Sequence, residues 1–155
     1  MSNYLAPIVL FVYDRPWHTN QMLDSLAANK LADQSVLYIY SDGPKENSTI
    51  EQLKRINDVR ELIRERKWCK EVNIVESKKN KGLANSIVDG VTEIVNRYGK
   101  IIVLEDDLVL SKGFLKYMND SLSFYQNNNE VMHISGYMEP VNSNLPETFF
   151  LIVLP

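Results

Sequence analysis

The chain holds one cysteine, Cys69, and two histidines, His18 and His133. A single cysteine excludes an internal disulfide, and one Cys with two His cannot supply the four protein ligands of a structural zinc site. That cysteine usage fits a reducing compartment. Positive charge is in short supply: 17 Lys and Arg face 20 Asp and Glu, for a net charge of −3. A nucleic-acid partner calls for a clustered basic surface, so none is expected. No stretch reaches the roughly 20 apolar residues of a membrane-crossing helix, and residues 1–7 lack a charged leader region. A cytoplasmic chain is the expectation, and peripheral attachment to a membrane is compatible with it. Neither a GxGxxG fingerprint nor a P-loop is present, and no Ser-His-Asp arrangement can be drawn.

What is present is an ordinary globular mixture, 45% hydrophobic and 24% charged over 155 residues, enough for one domain with a core. Apolar runs alternate with helical spacing. Residues 7–13 read as a first buried strand, stopped by Asp14-Arg15-Pro16. Pro16 suits the first turn of a helix whose stripe is Met22, Leu23 and Leu26. Residues 35–40 form a second strand, closed by the turn signal Ser41-Asp42-Gly43-Pro44. Ser48 and Glu51 fit a capping box, leading a helix with Leu53, Ile56, Val59 and Ile63 on one side. Residues 71–75 are a third strand. Asn80-Lys81-Gly82 opens a helix carrying Leu83, Ile87, Val91, Ile94 and Tyr98, with Gly99 as its stop. Residues 101–104 read as a strand buried on both faces. A helix with Phe114, Leu115, Met118 and Leu122 follows, and residues 131–135 suggest a fifth strand. The β-α alternation predicts an α/β fold, a mostly parallel sheet with helices on both faces. The apolar residues 149–155 suggest either a last strand or a chain that continues, so a fragment of a longer protein is expected.

The residues with chemistry cluster at predicted strand ends, where open α/β sheets bind ligands. Glu105-Asp106-Asp107 follow the fourth strand. Three adjacent carboxylates repel one another, and a divalent cation such as Mn²⁺ or Mg²⁺ relieves that repulsion while holding a diphosphate. The alternative is a solvated acidic turn. Asp42 follows the second strand, where a carboxylate could accept from a nucleobase N–H or simply shape a turn. Arg15 follows the first and could grip phosphate bidentately or form a surface ion pair. Lys79, Lys81 and Gly82 precede a helix N-terminus, a setting that favours anions, although a solvated basic loop would look the same. His133, in an apolar run, reads as a core histidine.

Taken together, residues 7–15, Ser41-Asp42-Gly43, the Asn80–Asn85 segment, the Glu-Asp-Asp triplet with its apolar lead, and Ser111-Lys112-Gly113-Phe114 resemble the nucleotide-sugar-binding half of a GT-A glycosyltransferase. The likeness is to the family of the N-acetylglucosaminyltransferase that begins complex N-glycan synthesis, and to its bacterial relatives, and it covers about residues 5–140. The resemblance implies a Rossmann-like nucleotide-diphospho-sugar transferase domain spanning residues 1–155, the N-terminal portion of a longer enzyme. It implies that Asp107 binds Mn²⁺, the Glu-Asp-Asp version of the Asp-X-Asp motif. It places Asp106 on the ribose or donor sugar, Glu105 beside the nucleotide, Asp42 on the uracil edge, and Arg15 and Lys81 near the nucleotide. The implied partners are a UDP-sugar donor and a glycan or glycoconjugate acceptor. The family's catalytic base comes from a later segment, and Glu139 and Glu147 have no supporting context here. A donor-binding domain short of its base is therefore expected, with a non-catalytic remnant as the alternative and a homodimer burying the apolar C-terminus as a further possibility.

Overall fold

The structure, a computed structural model, describes residues 4–137. Four strands, β1 (Ile8–Val12), β2 (Val36–Ser41), β3 (Glu71–Glu76) and β4 (Ile102–Glu105), alternate with four helices, α1 (Pro16–Ala27), α2 (Ile50–Leu62), α3 (Leu83–Tyr98) and α4 (Phe114–Phe124). The sheet order is β3-β2-β1-β4 and every pairing is parallel. The strand order reverses direction at β1, so the carboxyl ends of β1, β2 and β4 converge on one edge, the position where open α/β sheets take ligands.

The two faces are unequal. One carries Ile8, Leu10, Leu37, Ile39, Ile102 and Leu104, packed with Met22, Leu23 and Leu26 of α1, Val59 of α2, and Leu115 and Met118 of α4. Burying each such side chain contributes about 2 kcal/mol. The other face carries Val9, Phe11 and Tyr38 under α3, with Ile94 fully buried. That helix approaches closely because Gly90 presents no side chain: a Cβ there would lie 3.0 Å from the Phe11 ring and 3.2 Å from the Tyr40 ring.

Several local expectations shift. β1 is buried along its whole length, as an all-apolar central strand should be,. β4 is not: Ile102 and Leu104 are buried while Val103 and Glu105 are exposed. Val103 shares Val9's face through their register, but α3 packs over β1 and β2 and leaves that part of β4 uncovered. The capping box is made by Thr49 and Gln52, each bonding the other's backbone N–H, one residue past the expected Ser48 and Glu51. Within that helix Ile56 and Val59 are buried but Leu53 is exposed, and Leu83 is likewise exposed at the start of α3. Gly99 ends α3 at φ 74°, the left-handed conformation glycine adopts freely,.

Residues 131–135 form no strand. Of their side chains Ile134 packs against the larger core, while Met132 is exposed and His133, expected in the core, is exposed too. No helix among the described residues is long and apolar enough to cross a membrane. The apolar segment 149–155, the dimer expected to bury it, and Glu139 and Glu147 lie outside the described residues.

Candidate functional site

A cleft of about 260 Å³ opens at the carboxyl edge of the sheet, lined from β1 and its loop by Phe11, Tyr13, Asp14 and Arg15, and from β2 by Tyr40 and Asp42. Lys45 and Asn80 close one side, and Glu105 and Asp106 the other. The parallel register explains the assembly: Phe11 pairs with Tyr40 on one flank and with Glu105 on the other. The Phe11 and Tyr40 rings stack at 5.5 Å between centroids. Arg15, Asp42, Glu105 and Asp106, four residues singled out from the sequence, are thereby brought to one cleft. Asp107 adjoins it through Arg15, and Lys81 does not line it.

Arg15 organises the acidic side. Its Nη2 donates to Asp106 Oδ1, its Nε lies 3.4 Å from Asp106 Oδ2, and its Nη1 donates to Asp107 Oδ2 at 3.2 Å. The Asp106 side chain is 4% exposed, whereas Asp107 is about half-exposed at 46%. Burial pushes the Asp106 carboxyl above the ordinary carboxylate range, against the opposing pull of the Arg15 guanidinium,. Glu105 is exposed at the end of β4, and no hydrogen bond or ion pair of its carboxylate occurs among the described residues.

Asp42 is built in differently. It is 8% exposed, and its two oxygens accept from four donors. Gly43 N lies at 2.8 Å and Lys81 N at 2.9 Å from Oδ1, and Asn80 Nδ2 at 3.0 Å and Gly82 N at 2.9 Å from Oδ2. Asn80 Nδ2 also donates to the Gly43 carbonyl at 2.9 Å, and Asn80 N to the Pro44 carbonyl at 3.2 Å. Gly43 makes this approach feasible: a Cβ there would stand 2.5 Å from the Lys79 carbonyl carbon. Arg60 of α2 adds a strap, donating to the carbonyls of Asp42 and Ser77.

The cations are distributed unexpectedly. Lys81 Nζ, assigned to the ligand from sequence, donates to Asp89 Oδ2 at 2.9 Å. Lys45, which sequence reasoning passed over, lines the cleft with no side-chain partner among the described residues. Its position three residues beyond Asp42, past a Gly-Pro turn, was the available signal. The Tyr13 hydroxyl at the cleft is buried and has no hydrogen-bond partner among the described residues, the kind of orphaned polar atom that a ligand or water would satisfy.

A divalent cation fits this donor set in one way only. Among the described residues no three His, Cys, Asp or Glu side chains converge to hold a metal by themselves. Mg²⁺ and Mn²⁺, however, take one or two carboxylates and complete their shell with water and phosphate oxygens. The half-exposed Asp107 is a hard oxygen donor of that sort.

No family model and no curated protein matches the chain. Among solved structures, a crystal structure of TarS from S. aureus, a glycosyltransferase, matches over 79% of this chain and 20% of its own, at 13% identity and a TM-score of 0.51. A second, of TarS residues 1–349, matches over 79% of this chain and 33% of its own, with the same identity and TM-score. The chain therefore shares an α/β fold with part of TarS, and it spans a third or less of either TarS chain.

Proposed function

We propose that the chain is the donor-binding portion of a metal-dependent glycosyltransferase that transfers a sugar from a UDP-sugar to an acceptor hydroxyl. The observation that carries this is the cleft itself: an aromatic floor of Phe11 and Tyr40 between a polar wall and an acidic wall, at the strand-order switch of a parallel sheet. Its likeness in sequence to the N-acetylglucosaminyltransferase family, and in fold to TarS, points the same way.

In this reading Asp107 holds Mn²⁺ or Mg²⁺ together with the donor diphosphate. When bound, the ion supplies Lewis-acid stabilisation of the departing UDP. Electrostatics favours such an ion, because four carboxylates and only two cationic side chains line the cleft. A nucleotide diphosphate entering alone would meet net repulsion. Arg15 orients Asp106 and Asp107 and lies where it can reach phosphate. Asp106 faces the ribose or donor sugar, Glu105 lies beside the nucleotide, and Lys45 is a cation with no other side-chain partner among the described residues. The Lys81 backbone N–H, rather than its ammonium, serves the site, by bonding Asp42. The reaction is displacement of UDP at the anomeric carbon, with the general base drawn from residues beyond those described.

Calorimetric titration with UDP, in Mn²⁺ and then in EDTA, tests the reading on the wild-type chain and on Asp107→Ala. Metal-dependent UDP binding is expected in the first. The second should fall to the EDTA level with an unchanged thermal midpoint, since Asp107 is half-exposed. Equal binding with and without metal removes the ion from the site, and no binding in either condition removes the nucleotide.

A further inference from the structure

We infer that Asp42 is a positioning residue, an internal anion that clamps residues 80–82 onto the end of β2, and that selection of the nucleobase falls to other groups. The inference rests on the cleft being a nucleotide site. A carboxylate offers about four lone-pair directions. Asp42 already accepts from Gly43 N, Lys81 N, Gly82 N and Asn80 Nδ2, with Lys81 N reaching the second oxygen as well at 3.2 Å. Buried to 8% exposure, it has no acceptor capacity left for a base N–H.

The same bonds place a negative charge at the N-terminal end of α3, where the helix dipole would otherwise attract an anion. Asp42 occupies that position from within the chain. The phosphates of a nucleotide are thereby directed away from α3, toward Lys45, Arg15 and the acidic side. The clamp also sets the wall itself: Asn80, Gly82 and Leu83 line the cleft, and the segment that carries them is fastened at Asp42.

Asp42→Asn and Asn80→Ala decide the matter. An asparagine at 42 must turn one N–H toward backbone donors and loses at least two of the bonds. Amide hydrogen exchange is read at Lys81 and Gly82 against β1, and titration is run with UDP, CDP and ADP under the same metal conditions. In Asp42→Asn, exchange at Lys81 and Gly82 should accelerate about tenfold or more while β1 amides stay protected. Affinities for the three nucleotides should fall by a common factor, so that their ratios are preserved. Asn80→Ala, which removes one of the bonds to Asp42 along with the one to the Gly43 carbonyl, should do the same to a smaller degree. A collapse of UDP affinity relative to CDP, with Lys81 and Gly82 still protected, makes Asp42 a base reader and overturns the inference. Loss of β1 protection as well reduces Asp42 to a general stability role and overturns it too. A wild-type chain that binds none of the three defeats the nucleotide reading, and exchange at Lys81 and Gly82 still decides the clamp.

Discussion

Asp42 and Asp106 follow the two strands that flank β1, and both are buried, yet their partners differ in kind. Asp42 is held by three backbone N–H groups and an asparagine amide. Asp106 is held by Arg15, a side chain that is 44% exposed. Backbone donors cannot leave without unmaking the chain path, whereas a long side chain on the surface can exchange one partner for another. The β2 side of the cleft is therefore a fixed wall, and the β4 side is a set of charges whose neutralisation can be handed over. On the proposed reading, a metal ion and a diphosphate would sit on the second side for that reason.

The comparison breaks most forcefully at Gly43. Gly43→Ala drives a methyl into the Lys79 backbone and should cost about 3 kcal/mol, read as a lowered denaturation midpoint with the loop after β3 losing amide protection first. An undiminished midpoint would mean that the two loops are not locked together. On the other side, Arg15→Gln strands the buried Asp106 carboxylate and should cost about 2 kcal/mol at pH 7. Burial already raises the Asp106 carboxyl, and loss of Arg15 raises it further. A carboxyl raised in the folded state binds its proton more tightly there than when unfolded, so its contribution to stability declines as pH climbs from about 4. The Arg15→Gln deficit should thus shrink as pH is lowered toward 4, in denaturant titrations at several pH values. A small effect is expected at Lys45, which has no side-chain partner among the described residues: Lys45→Gln should weaken UDP about fivefold, or about 1 kcal/mol, and leave uridine unaffected. Lys81→Gln should change neither, because its ammonium is engaged by Asp89.

The strand and helix alternation was legible because three of the four strands are short, mostly apolar runs, the third in chain order holds Val72, Ile74 and Val75 between polar residues, and each helix has a stripe at its own period. Position within overlapping patterns was not. Ser48–Glu51 and Thr49–Gln52 both satisfy the capping-box spacing, and only the backbone geometry at Thr49 selects the second. Residues 131–135 have the apolar character of a strand, but pairing depends on a neighbour that no local pattern encodes. The same limit applies at the site. Arg15, Asp42, Glu105 and Asp106 could be gathered by reasoning that strand ends converge. That Asp42 is saturated could not, since three of its four donors lie 38 to 40 residues away and most are backbone, invisible in side-chain identity. Lys81 drew attention as a cation before a helix, and its neighbour across two turns of that helix, Asp89, claims it.

The notch at Gly90 has a consequence for how such a cleft could change over time. The rings it accommodates, Phe11 and Tyr40, face α3 on one side and the cleft on the other. Volume can therefore be traded through that shared wall: a larger residue in the helix matched by a smaller ring in the strand would reshape the ligand's floor without disturbing any polar contact. If the cleft takes the proposed donor, ligand size and ligand chemistry are set by separate residues, so either could drift while the other is kept.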